Sequence, residues 1–246
     1  MSSRVRPQIL LGLPALLLVL ITWQVAADGP LLRPDERLSR ALVHPDRAAE
    51  LLSDLGNVQV AVPVLVLAAA YAAWRGRVAG GARWWVPSLA ALALIVLVPL
   101  IVVPLKEWTD RPGTPAVPPA TGYYPSGHTA TAAVAYGSAV MVLLPWLRGA
   151  FARRAAVVMS ALLVLAVSFG LVRRGYHWPL DVVASWCLCT VLLGALWLFL
   201  ERERLRRAAS RPCQTGAPPP STRTTRTSDP SAPRPYRGAR KPQDTP

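Results

Sequence analysis

Three histidines occur in the 246 residues, and two of them stand in settings suited to phosphate chemistry. His128 closes the segment Tyr124-Pro125-Ser126-Gly127-His128. A Pro-Ser-Gly turn that runs into a helix aims backbone N–H groups and the positive helix end at one spot, which favours an anion. A histidine there can protonate a leaving group; equally, Ser126 fits a plain N-cap and His128 an interfacial residue. His177 lies in Arg173-Arg174-Gly175-Tyr176-His177-Trp178-Pro179-Leu180-Asp181, four residues before Asp181. That spacing puts both on one helical face. A carboxylate bonded to one ring nitrogen fixes the tautomer and frees the other nitrogen as a nucleophile; the same pair also fits a structural contact at a helix start. His44 precedes Pro45 with no partner in view.

Cations accompany the two histidines. Lys106 is followed by Arg111-Pro112, and Arg173 and Arg174 lead into His177. A lysine at a membrane interface commonly anchors the helix that bears it. Several cations and two histidines at one depth also make a pocket for a phosphate monoester or diphosphate. Cys187, Cys189 and Cys213 form no disulfide framework, and Cys187 and Cys189, inside an apolar block, read as packing residues.

The elements that must position these groups are apolar blocks near the length that a hydrocarbon core of ~30 Å demands. Hydrophobic residues make up 52% of the chain and charged residues only 16%, and the apolar residues gather in blocks rather than in amphipathic patterns, which excludes a soluble core protein. Six spans are predicted, at residues 9–27, 58–74, 86–105, 129–146, 155–172 and 182–200. The fourth carries Thr129, Thr131, Tyr136, Gly137 and Ser138, which suits a helix buried among other helices. The first, with Arg4 and Arg6 before it and Val25-Ala26-Ala27 at its end, reads as an uncleaved signal anchor, with a cleaved signal peptide as the alternative. Residues 28–57 form an extracytoplasmic loop, in which Pro45 opens a short amphipathic helix with Ala48, Leu51, Leu52 and Leu55 on one side. Residues 58–200 form the core, and residues 201–246 are a basic tail rich in Pro, Ser and Thr that lacks the apolar surface to fold.

Arginines orient the bundle. Arg75, Arg77 and Arg83, then Arg148, Arg153 and Arg154, then Arg202, Arg204, Arg206 and Arg207 flank one face, whereas acidic residues dilute the opposite loops. The positive-inside rule puts both termini in the cytoplasm and loops 28–57, 106–127 and 173–181 outside. The net charge of +14 is therefore assigned to topology and anionic headgroups, and no nucleic-acid partner is expected. A transporter would carry ionisable groups at mid-membrane, and these spans are charged only near their ends.

Across residues 55–200 the chain resembles the type 2 phosphatidic acid phosphatase family, which shares its core with vanadium haloperoxidases. That family carries Lys-x6-Arg-Pro, Pro-Ser-Gly-His and Ser-Arg-x5-His-x3-Asp in six spans. Pro125-Ser126-Gly127-His128 matches in full, Lys106 matches the first motif's start, and His177 with Asp181 matches the third motif's end. The family's other positions fall at Gly113, Thr114, Gly170 and Leu171, so its arginines are absent there. Arg111 lies two residues early and Arg173 or Arg174 two or three late. Two loop residues span up to ~7 Å, within reach of an arginine, whereas two helical positions rotate a side chain by ~200°.

The resemblance implies an all-α, six-transmembrane-helix bundle in the cell membrane with its active site at the extracytoplasmic helix ends. It implies hydrolysis of a lipid phosphate or polyprenyl diphosphate through a phosphohistidine on His177, oriented by Asp181 with His128 as the acid. Lys106, Arg111, Ser126, Gly127, Arg173 and Arg174 would hold the phosphate, with no metal or other cofactor. The displaced arginines keep an alternative open, a weak or inactive lipid-phosphate-binding protein. With the native cysteines replaced, a cysteine at Ala120 is expected to react with an impermeant thiol reagent in intact cells and one at Gly80 is not; the reverse pattern would put the site in the cytoplasm.

Overall fold

The computed structural model describes residues 5–209, and its regular elements among them are all helical. In chain order they are α1 (Val5–Ala26), α2 (Leu32–Leu42), α3 (Arg47–Asp54), α4 (Val58–Val78), α5 (Val86–Thr109), α6 (Gly127–Leu143), α7 (Ala150–Arg173) and α8 (Pro179–Ala209), with a 3-10 turn at Leu144–Trp146 after α6. Helices α4, α5, α7 and α8, and α6 with its 3-10 turn, are long and apolar enough to cross a membrane; α1 contributes a shorter apolar stretch, Leu11–Ala26. The all-α bundle matches the sequence expectation, with five full spans and one shorter one. Helix α8 continues to Ala209, so the first nine residues assigned to the tail, 201–209, are helical; residues 210–246 lie outside the described residues.

Helix α6 is the axis of the bundle and packs against α4, α5, α7 and α8. Inside the protein, 61% of its span is buried against 28% for α4, α5 and α7, so its sequence has to suit helix neighbours rather than lipid. Ala130, Ala132, Ala133, Ala135 and Ala139 supply small buried faces, which let backbones approach in a medium where lipid is as apolar as the side chains. At Gly137 an added Cβ would come within 2.7 Å of Leu193 on α8. Most hydroxyls of α6 face protein: Thr129 and Ser138 are buried and the Tyr136 hydroxyl donates to the Leu55 carbonyl at 2.6 Å, while Thr131 lines a cavity. Outward, Leu67, Leu100, Leu162 and Phe151 are exposed, an apolar belt suited to lipid.

Two short helices close one end. Helix α3 is where Pro45 predicted one, and Asp46 caps it by accepting the Ala49 N–H at 2.7 Å. That bond, reinforced by Arg173, holds the Asp46 carboxyl below its ordinary pKa. Half of the predicted apolar stripe packs, Leu55 against the core and Leu52 against Gly170 of α7. Ala48 and Leu51 are exposed while Ala49 and Ser53 are buried, because α3 meets the backbone of Gly170 on α7. A Cβ at Gly170 would lie 2.7 Å from the Ala49 carbonyl oxygen and 2.7 Å from the Ser53 nitrogen, so only small side chains fit that contact. Helix α2, which no apolar pattern announces, packs against α7 and α8.

The Gly170→Leu variant is expected to lose about 1–3 kcal/mol through overpacking, read as a lower Tm in detergent. Gly12→Leu, at a site where nothing lies within 4 Å of an added Cβ, is expected to leave Tm in place.

Candidate active site

Chain direction brings the C-terminal ends of α1, α5 and α7 and the N-terminal ends of α4, α6 and α8 to one end of the bundle. Gly175 turns the chain after α7 with a φ of 73°, a left-handed conformation that glycine adopts without Cβ strain. Pro179 then opens α8, as its fixed φ and missing N–H allow. The turn holds His177 just before the helix and Asp181 in its first turn. Asp181 is fully buried. Its Oδ2 accepts the Trp178 N–H at 3.1 Å and lies 3.2 Å from His177 Nδ1. A carboxylate offers only acceptors, so the ring carries its proton on Nδ1 and leaves Nε2 free. The Tyr123 ring meets the imidazole edge-on, with centroids 5.8 Å apart.

Beneath this pair lies a buried ionic chain. Arg111 donates from one amino group to Asp181 Oδ1 at 2.5 Å and from the other to Asp35 Oδ2 at 2.6 Å. Asp35 Oδ1 in turn accepts the Leu180 N–H at 2.9 Å, which returns the chain to the start of α8. The guanidinium also stacks over the Trp178 ring at 5.4 Å, and Trp178 Nε1 donates to the Pro112 carbonyl at 2.9 Å.

The start of α6 is tied to the same point. Ser126 donates its N–H to the Asp181 carbonyl at 3.2 Å, and Ser185 donates one hydroxyl to the carbonyls of both Ser126 and Asp181, 2.9 Å each. The Ser126 hydroxyl caps α6 by accepting the Thr129 N–H at 3.3 Å. An added Cβ at Gly127 would meet nothing within 4 Å, so the missing side chain leaves open space at the positive end of a 17-residue helix. His128 Nε2 lies 2.9 Å from Asn57 Oδ1, and Asn57 donates its amide to Asp54 at 3.0 Å. Lys106 donates to the Gly122 carbonyl at 2.9 Å. Tyr124 is buried behind the site and shares a 2.7 Å hydrogen bond with Thr22 of α1; burial pushes its phenol up to about 12.

Lys106, Gly127, His128 and His177 line one cavity of about 640 Å³, whose other walls include Val58, Pro99, Val102 and Val103 of α4 and α5. A smaller cavity of about 290 Å³ shares His128, His177, Tyr123 and Asn57 and reaches Asp54 and Leu171. The cavity is thus polar at the bundle end and apolar toward its middle.

Four of the predicted phosphate-binding residues are committed elsewhere. Arg111 is only 4% exposed and points its guanidinium at two carboxylates. Arg173 pairs with Asp46 at 2.8 Å, while Arg174 donates to the Tyr176 hydroxyl at 2.9 Å and approaches Glu50 at 3.9 Å. Ser126 is buried as a cap, the plainer of its two sequence readings. None of the four is among the lining residues of either cavity. Asp35, Asn57 and Tyr123 carry no local signature and become visible only when the helices assemble. Among the described residues no three His, Cys, Asp or Glu side chains converge in a metal-ligand cluster.

Residues 87–205 match the PAP2 superfamily. Among solved structures, the chain is similar to the transmembrane PAP2-type phosphatidylglycerolphosphate phosphatase from Bacillus subtilis, with 24% identity and a TM-score of 0.64 over 77% of this chain and 96% of that one. At that identity the likeness is one of fold. No curated protein matches the chain.

Removing the bridging guanidinium would leave two buried carboxylates uncompensated, at a cost of about 3–5 kcal/mol. Arg111→Ala is therefore expected to lower Tm sharply, and Arg173→Ala, a half-exposed pair, to change stability by ~1 kcal/mol or less. An Arg111→Ala protein with unchanged Tm and lost substrate affinity would instead return Arg111 to the phosphate.

Proposed function

We propose that this chain, whose residues 87–205 match the PAP2 superfamily, is a membrane phosphatase that hydrolyses a lipid phosphate or polyprenyl diphosphate through a phosphohistidine on His177. The observation that carries this reading is the pairing of His177 with buried Asp181 on the wall of a cavity that also presents His128 and Lys106. His177 Nε2 attacks phosphorus, and the N–P bond forms as the P–O bond to the lipid breaks. The departing oxygen takes a proton from His128. Water then attacks phosphorus, His128 accepts its proton, and the N–P bond breaks to release phosphate. Asn57, held by Asp54, presents its carbonyl oxygen to His128 Nε2, so the transferable proton belongs to Nδ1. Lys106 and the free N–H groups at Gly127 hold the phosphoryl oxygens. The apolar walls from Val58, Val102 and Val103 suit the lipid chain. Arginine placement supports an extracytoplasmic site with both termini in the cytoplasm.

The committed arginines favour a second reading, a lipid-phosphate-binding protein with weak or no turnover. Lys106 is the one lysine or arginine among the described residues that line the larger cavity, so the clamp is less charged than the motif leads one to expect.

Phosphate release by purified protein from a panel of lipid phosphates, with and without chelator, separates the two readings. Hydrolysis insensitive to chelator is expected, absent in His177→Ala. His128→Ala is expected to lose about 10²–10⁴-fold on an alkyl lipid phosphate and much less on an activated aryl phosphate, whose leaving group needs little protonation. Tight binding of every lipid phosphate without release from any would establish the second reading.

A further inference from the structure

We infer that Asp35 is a positioning residue for His177: by taking half of the Arg111 charge, it leaves Asp181 basic enough to hold the imidazole proton, and it anchors the turn that carries both. Its link to the reaction rests on His177 being the nucleophile. Asp35 belongs to α2, in the connection between α1 and α4, and nothing in the resemblance assigns it a role. Yet it is only 4% exposed, and both carboxylate oxygens are used on groups that touch the nucleophile's support, one on Arg111 and one on the Leu180 N–H.

Charge counting gives the reason for a second carboxylate. Arg111 with Asp181 alone is a neutral pair, and an arginine at 2.5 Å draws electron density from the oxygen that faces it. Such an Asp181 is a weak acceptor for His177 Nδ1–H. With Asp35 also on Arg111, the group carries one net negative charge, and the part of it left on Asp181 favours a proton on the ring. It also favours the positive charge that the ring develops when Nε2 bonds to phosphorus. The other ionisable groups around His177 are Lys106 from α5, His128 from α6, Asp54 from α3, and Tyr123 and Tyr176 from the flanking loops. Lys106 opposes a proton on His177 and Asp54 favours one, and neither is in the buried chain, so a change at Asp35 reaches His177 through Arg111 and Asp181.

The test is Asp35→Asn, which keeps an acceptor for the Leu180 N–H and removes the charge. The full-length protein is labelled with ¹³C-histidine in detergent, and the resonance lost in His177→Ala identifies His177. Its pKa is expected to fall by about one unit in Asp35→Asn and to return close to the wild-type value in Asp35→Asn/Arg111→Gln, where Asp181 alone restores the single net negative charge. The acid limb of kcat/KM is expected to move with it, and kcat to fall about tenfold. The double variant keeps the wild-type net charge of the buried group, with Asp181 still held by the Trp178 N–H and His177, and it carries the test if the single variant does not fold. A His177 pKa that stays put in Asp35→Asn, or a double variant displaced by about a unit from wild type, overturns the inference. A His177 pKa that moves as expected while the kcat/KM limb does not would uphold the Asp35 coupling and refute His177 as the nucleophile.

Discussion

A buried guanidinium that must be neutralised is the constraint on which this end of the molecule turns. Arg111 leaves α5 in a tight connection, and its backbone carbonyl accepts the Tyr123 N–H at 3.1 Å, so the side chain has little freedom to reach water. Desolvating it without partners would cost several kcal/mol. The partners are Asp181 from the start of α8 and Asp35 from α2, and satisfying both draws three distant segments to one point. Such networks contribute little net stability compared with apolar packing; their effect is to make one arrangement far better than its neighbours. Here that arrangement fixes the turn at 175–181, and with it His177.

The same constraint explains a departure from the family pattern. The Arg111 guanidinium faces Asp181 and Asp35 and lines neither cavity, Arg173 pairs with Asp46, which caps α3, and Arg174 approaches Glu50 of α3. Substituting arginines at the motif positions meets physical obstacles as well. A Cβ at Gly113 would come within 2.7 Å of the Tyr123 ring, while Leu171 is buried in the core yet borders the smaller cavity. In the proposed reading, anion binding falls to Lys106 and the N-terminus of α6. That N-terminus is held rigidly, since Ser126 and Ser185 bond it to the first turn of α8. The two histidines are therefore positioned by one shared backbone junction.

What could be read from the sequence divides along the range of the interactions involved. The membrane spans were legible because hydrophobic blocks are local, and the burial of α6 because its hydroxyls and glycine are unsuited to lipid. The His177–Asp181 pair was legible because it is four residues long. The partners of Arg111 were not, since its carboxylates lie 70 and 76 residues away. Helix α2 was missed because it is polar, and its buried residues are Asp35 and Ser39 rather than apolar ones. The packing face of α3 was legible only in part, at Leu52 and Leu55, because a hydrophobic stripe says nothing of the glycine backbone on α7 that Ala49 and Ser53 meet.

The central claim, that His177 is a nucleophile held by Asp181 and backed by Arg111, is tested most directly by trapping the covalent intermediate. Wild-type protein mixed with ³²P-labelled lipid phosphate and quenched within one turnover in alkaline denaturant, where an N–P bond survives, is expected to carry label that maps to the peptide containing His177. Label on another residue, or turnover in the absence of any label at His177, would contradict the account.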